Sequence, residues 1–296
     1  MHRAGILILL GALSVLDPGA ARAQEEALPP GESTLETARG LGMGSGARAS
    51  ARSSSALAYN AAGMPAAQLY HIESLVGYDA GTGAWSLGSA AVDSITNKLA
   101  AGLSIRGVLG GGDDAYNGFD ARLGIAIPLA ESISVGLGGR FLKLRIDQQD
   151  DMMMVDNQNV RHFTLDASIR VHPVEALSLV ALGYNLIDTG SSLAPMLVGG
   201  GAGLTFGGLT IAGEGLVDLT TFDHASVIAG GGVEYLAAEI VPIRAGYRFD
   251  SGRDTHYVTG GIGYVDQHVG ADVSVRQGVA GLKDTQLVLS FRYHVH

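Results

Sequence analysis

Cysteine is absent from this 296-residue chain, which excludes disulfides, thiolate metal sites and a cysteine nucleophile. Charged residues make up only 16%, and prolines number 8. A disordered chain needs low hydrophobicity and high charge, and the 47% hydrophobic content excludes that class. Basic residues are the scarcer sign. With a net charge of −10 the chain lacks the basic surface that nucleic acid requires, so no nucleic-acid partner is expected. Beyond the N-terminus no apolar run is long enough for a spanning helix, so a second entry into a membrane has to be made with strands. Glycine, by contrast, is abundant at 44 residues.

The N-terminus carries an export signal. His2 and Arg3 precede the apolar run Ile6 to Leu16, and Ala21-Arg22-Ala23 offers a small-residue cleavage site before Gln24. Residues 1–23 read as a signal peptide and 24–36, with Pro29-Pro30, as a flexible leader. Residues 37–70 have neither strand alternation nor a broad apolar helix face. Gly40, Gly42, Gly44 and Gly46 let backbone pack closely, and Arg39, Arg48 and Arg52 suit a segment folded inside a polar cavity. Gly42-x-Gly44-x-x-Ala47 imitates a dinucleotide fingerprint, but no strand precedes it and no βαβ unit surrounds it. No cofactor is expected.

From residue 71 to the end the chain alternates with a period of two. In Thr285 to His296, Leu287, Leu289, Phe291, Tyr293 and Val295 share one side. Gln286, Ser290, Arg292 and His294 share the other, with Val288 as an apolar intruder. About fourteen such strands fit, near 72–78, 84–93, 99–108, 119–127, 133–146, 161–171, 176–186, 196–206, 209–219, 226–236, 241–249, 256–265, 269–276 and 285–295. Those at 176–186 and 196–206 alternate poorly. A phase slip between Phe141 and Leu142 predicts a bulge. Long connections at 109–118, 147–160, 187–195 and 277–284 alternate with short ones.

This pattern is that of an all-β, antiparallel transmembrane barrel in a bacterial outer membrane, with short periplasmic turns, longer outer loops and both termini periplasmic. Its partner on the outside is lipid, and a charge there costs roughly 2–4 kcal/mol at mid-depth. The charged residues must therefore point inward, as a lumen ladder of Arg106, Arg122, Asp166, Arg170, Glu214, Glu234, Arg244, Arg248, Asp272 and Arg292, joined by Arg140, Asp218 and Arg276. Tyr235, Tyr247, Phe249, Tyr264, Phe291 and Tyr293 fall near strand ends on the lipid face, where interfacial aromatics belong.

Ala38-Arg-Gly-Leu-Gly-Met-Gly-Ser-Gly-Ala followed by Ser55-Ala-Leu-Ala-Tyr-Asn60-Ala-Ala-Gly63-Met64 resembles the N-terminal hatch of the FadL-like and PorV-like outer-membrane proteins. It departs from their pattern at Ala61, where proline is usual, and at Met64, where leucine is. Leu165-Asp166-Ala-Ser-Ile with Leu177 to Leu186, and Gly232-Val-Glu234-Tyr235 with Ile243-Arg244-Ala-Gly246-Tyr247, are similar to strands of the same family. The resemblance implies a fourteen-stranded barrel plugged by residues 37–70, with Arg39, Gly42, Gly44, Asn60 and Gly63 anchoring the hatch. FadL-like members move long-chain fatty acids and other hydrophobic molecules. PorV-like members serve as partners of exported proteins. No outer loop here is long enough for the helical capture arm of the fatty-acid transporters. Met152, Met153 and Met154 offer an adaptable apolar patch for a ligand.

No enzyme constellation stands out. Ser290 and His294 share a strand face but lie about 13 Å apart at roughly 3.3 Å per residue. His294 and His296 read as solvated or turn-facing, and no metal site is expected. Two functions remain: passive passage of small hydrophobic molecules past the plug, or a non-conducting barrel that binds an exported protein. An apolar pocket favours the first and a polar, sealed lumen the second.

Overall fold

The computed structural model describes residues 36–110, 114–148 and 160–295. The expected signal peptide at 1–23, the expected leader short of Glu36, Met152 to Met154 and His296 lie outside them. Each alternating stretch forms a strand, and the strands pair in chain order until the last meets the first. They are β1 (Tyr70–Asp79), β2 (Ala84–Asp93), β3 (Ala100–Leu109), β4 (Asp114–Ala130), β5 (Ile133–Gln148), β6 (Val160–Val174), β7 (Leu177–Tyr184), β8 (Leu197–Phe206), β9 (Leu209–Asp218), β10 (Ser226–Ala237), β11 (Val241–Asp250), β12 (Thr255–Val265), β13 (Val269–Ala280) and β14 (Thr285–Val295). All neighbours are antiparallel, and β14 pairs with β1 from Tyr70↔Val295 to Asp79↔Gln286, closing the barrel. The protein is a fourteen-stranded antiparallel β-barrel.

The faces follow from sequence parity. On β14, Leu287, Leu289, Phe291, Tyr293 and Val295 are 39–55% exposed, whereas Gln286, Val288 and Ser290 are at most 6% exposed. An apolar exterior over a polar, buried interior is the inverse of a soluble protein and fits a barrel in lipid. Val288, the intruder in the polar set, is buried against Ala38 and Leu41 of the segment inside the barrel.

Turns follow from aspartate placed at strand ends. One carboxylate oxygen accepts two turn amides at Asp79, Asp93, Asp218, Asp250 and Asp266, the local bonding for which Asp is favoured in turns. The Val269 and His268 amides hold the Asp266 carboxyl below its ordinary range. The contribution of this turn is therefore complete above the ordinary carboxylate pKa and is lost as acid titrates the folded form.

Three expectations from the sequence need correction. The connection at 109–118 is shorter, because β4 begins at Asp114, and that at 277–284 shrinks because β13 runs to Ala280. The bulge at Phe141/Leu142 does not occur: β5 keeps its register against β4 and β6 through both residues. Leu142 and Leu144 instead point inward into an apolar cluster, so the apolar run crosses both faces without a slip. Register shifts occur between Pro128 and Ala130, Val171 and Val174, and His256 and Tyr257. The wall is uneven in height, with 17 residues in β4, 16 in β5 and 8 in β7.

Leu289 lies near the middle of β14 with 48% exposure. Leu289→Arg is expected to destabilise the barrel by roughly 2–4 kcal/mol, read as a shift of the urea midpoint in lipid vesicles. Ser290→Arg, one residue away but lumen-facing, should perturb the hatch and not lipid insertion.

Candidate functional site: the hatch and the lumen it fills

Residues 36–69 fold inside the barrel as two short helices, α1 (Ala38–Gly42) and α2 (Ser53–Tyr59), and a 3-10 turn at Ala61–Ala66. Thr37 caps α1 by accepting the Gly40 amide on its hydroxyl at 3.2 Å. The segment is rich in Ala, Gly and Ser because the space between its backbone and the wall is narrow. A Cβ on Gly46 would lie 2.5 Å from the Gly231 Cα, and one on Gly44 2.4 Å from the Tyr247 carbonyl oxygen. Gly44 also has φ +64°, a left-handed conformation in which other residues are strained.

Charge ties the hatch to the wall at several heights. Arg39 donates to both carboxylate oxygens of Glu234, at 2.9–3.2 Å, and to Ser50. Glu234 also receives Arg244, which bridges to Asp272 at 2.6 Å, and Asp272 in turn meets Arg292. Arg248 contacts Glu36 at 3.0 Å and the Ser45 hydroxyl at 2.9 Å. Arg122 forks onto Asp120, which Arg140 also holds, and reaches back to the Ala58 carbonyl. Arg106 lies near Asp120 and Glu73 and donates to the Glu36 carbonyl at 3.4 Å. Asp166 accepts the Asn185 amide at 2.9 Å, and Arg170 donates to the Ser178 hydroxyl at 2.8 Å.

The hatch residues singled out in the sequence fall as follows. The Gly42 carbonyl accepts from Thr259 and the Gly44 amide donates to it, both at 3.0 Å. Asn60 donates to the Arg48 carbonyl at 3.1 Å, and Gly63 leaves no room for a Cβ beside the Ala51 carbonyl oxygen.

Sequence reasoning gave Arg48 too small a part. Its guanidinium meets Glu214, donates to the Tyr184 hydroxyl at 2.7 Å and to the Ser45 carbonyl at 2.8 Å, and sits about equally over the Tyr59 and Tyr184 rings, at 5.2 and 5.4 Å. Cations stack on aromatic faces in this way. Tyr184 donates to the Tyr59 carbonyl, and the Tyr59 hydroxyl accepts the Thr37 amide at 2.7 Å. Burial first, and the Glu36 charge next, push the Tyr59 phenol well above its ordinary range, so it stays protonated. The signal available in the sequence was the pairing of an interior arginine with tyrosines on the two elements around it, which spacing alone does not reveal.

His294 stacks on His71 with ring centroids 4.9 Å apart, so it faces the lumen and not a turn. Ser54 bonds both His71 and Glu73 at the same end.

Above the hatch the lumen changes character. Ala84, Val108, Leu142, Leu144 and Val160 form an apolar cluster that Leu193 and Ala194 cover from the β7–β8 loop. The loop is drawn inward by Asn185, which bonds Arg140 and the Pro195 carbonyl. A second cluster joins Ala49 to Val180, Leu182, Tyr184, Leu197, Leu216 and Ile228. Beside the hatch are two cavities of about 30 and 20 Å³, meeting at Arg122 and Ala58. They hold a few waters at most, since a cavity of about 150 Å³ is of the size that takes benzene.

No protein-family profile matches the sequence, and no curated protein matches it. Solved structures do. The toluene transporter TbuX of Ralstonia pickettii superposes with a TM-score of 0.64 at 12% identity, over 88% of this chain and 98% of that one. A FadL homologue from Pseudomonas aeruginosa gives the same four values. The monoaromatic hydrocarbon channel CymD gives 0.58 at 11% identity, over 82% and 92%. The fold is that of the FadL-type outer-membrane channels. At these identities the likeness carries the architecture and not the chemistry. Of the two branches of the resemblance, these structures speak for the FadL-like one.

Glu234→Gln removes the charge shared by Arg39 and Arg244. Breaking a buried pair by one partner costs about 3–5 kcal/mol, less here because Glu234 is 15% exposed. Faster amide exchange is expected in 38–52, with the barrel still migrating as a folded, heat-modifiable species.

Proposed function

We propose that this protein is a passive outer-membrane channel for small hydrophobic molecules, opened by displacement of the hatch, with both termini periplasmic and no catalytic step. The observation that carries the reading is the apolar lining of the outer lumen. Inward-facing Leu142, Leu144 and Val160 have no reason to be apolar in a water-filled porin, whose interior is polar. They suit an apolar solute taken in above the plug. The similar structures include transporters named for toluene and channels named for monoaromatic hydrocarbons, which supports a solute of that size class. The polar, nearly filled space around the hatch means that passage requires the hatch to shift. Arg39, Gly42, Gly44, Asn60 and Gly63 keep it seated between events.

The absence of cysteine makes a clean test. A Cβ built on Gly203 of β8 falls 3.4 Å from the Ser50 Cβ of the hatch, close to disulfide geometry. In the Ser50→Cys/Gly203→Cys double variant, toluene uptake by whole cells is expected to fall to the background of cells lacking the protein. Reductant should restore it. Uptake unaffected by a formed crosslink would refute a moving hatch.

A further inference from the structure

The outward face of the strands is apolar almost throughout, and its cations are placed together. Among the described side chains, the Arg and Lys on that face are Lys143 of β5 and Arg161 of β6, which stand directly opposite one another in the ladder. Parity fixes their direction. Leu142 and Leu144 are buried in the lumen, so Lys143 between them turns outward with Phe141. Arg161 shares the face of Phe163 and Leu165, which are exposed. Both cations are exposed as well. No carboxylate of the described residues bridges either. Like charges directly opposite on one sheet face destabilise it. A cation facing lipid is costly at mid-depth and nearly free of cost at the interface. The pair therefore belongs at an interface, and an anion shared between the two removes their repulsion.

Their height is that of an interface. On β6 the outward residues that follow Arg161 are Phe163, Leu165, Ala167, Ile169 and Val171, apolar without a break. On β5 Ile133, Val135, Leu137, Gly139 and Phe141 lead up to Lys143 in the same way. At roughly 3.3 Å per residue and a tilt of about 35–45°, Arg161 stands about 25 Å from Val171 along the barrel axis, which is the height of the apolar band of such a barrel. Aromatic rings mark the same boundary. Phe119 is the β4 partner of Lys143, and Phe141 pairs with Phe163 one step below on the same face. The Phe119 and Phe141 rings lie 5.9 Å apart. The two cations thus crown an aromatic cluster where the apolar band ends.

We infer that Lys143 and Arg161 hold a lipid phosphate, and that the lipid is lipid A, the phosphorylated glycolipid of the outer leaflet. The guanidinium offers a planar fork to phosphate oxygens and the ammonium a compact point charge. Phe119, Phe141 and Phe163 present their rings to the acyl chains beneath that headgroup. The assignment rests on the orientation in the proposed function: with both termini periplasmic, the end of the barrel at which β5 joins β6 lies in the outer leaflet. β4 and β5 are the longest strands, at 17 and 16 residues, so the tallest part of the wall is held at a fixed depth by the headgroup layer it passes through.

Native mass spectrometry of the full-length protein in detergent, titrated with lipid A, tests the site. Lipid A is expected to bind, and the Lys143→Gln/Arg161→Gln double variant to weaken it roughly tenfold or more. The charge-preserving Lys143→Arg/Arg161→Lys variant should retain most of the binding. Lys98→Gln, which removes a charge from an exposed turn, should leave it unchanged. Binding indifferent to the neutral double variant overturns the site. Equal binding of lipid A stripped of its phosphates overturns phosphate recognition, and phosphatidylglycerol bound as tightly overturns the lipid A assignment. Orientation is read separately in intact cells. Lys283→Cys, in the β13–β14 connection, is expected to take a membrane-impermeant maleimide, and Lys98→Cys, in the β2–β3 connection, to take none. The reverse pattern overturns the orientation, and with it the outer-leaflet source, while phosphate binding in detergent is unaffected by it.

Discussion

Lipid cannot solvate a charge, and this chain buries its charges in the barrel accordingly. The constraint sends most arginines and carboxylates of the spanning strands inward, into a space too small to hydrate them all. The hatch supplies part of the answer. Glu36 meets Arg248, Arg39 meets Glu234 and Arg48 meets Glu214. Wall and hatch therefore complete one electrostatic network, and either alone would leave buried charge without a partner. Buried pairs of this kind add little net stability but penalise any rearrangement that separates them, which suits a plug that must be seated by default.

The same crowding explains the glycine content. The hatch backbone runs against Gly230, Gly232 and Gly246 with no room for a Cβ. Close approach brings Thr259 and Ser178 within bonding distance of hatch carbonyls. Hatch and wall also meet through apolar side chains, Leu57 and Met64 packing with Val92, Ala100 and Ala126, and a further apolar cluster lies beneath the β7–β8 loop.

Legibility in the sequence tracked the lumen's texture. Where the interior is polar, as along β14, β13 and β11, period-two alternation marked face and extent, and Arg244, Arg248 and Asp272 are buried on the inward side. Where the interior is apolar or occupied by backbone, alternation vanished. β7 carries Val180 and Leu182 inward, and β8 carries Gly199, Gly201 and Gly203 inward, so both strands looked weak. Leu142 and Leu144 imitated a bulge for the same reason. Val288 looked misplaced until Ala38 and Leu41 were found against it.

The sequence by itself determined the barrel, its strand number to within two, which faces of the strands are apolar and that a small-residue segment precedes them, because each depends on local periodicity and on the cost of charge in lipid. Only the tertiary structure decided which charges pair, that Arg48 is clasped by two tyrosines and that an apolar cluster lies beneath the β7–β8 loop. Those facts are contacts between residues far apart in the chain, and no local spacing encodes the distance across a closed barrel.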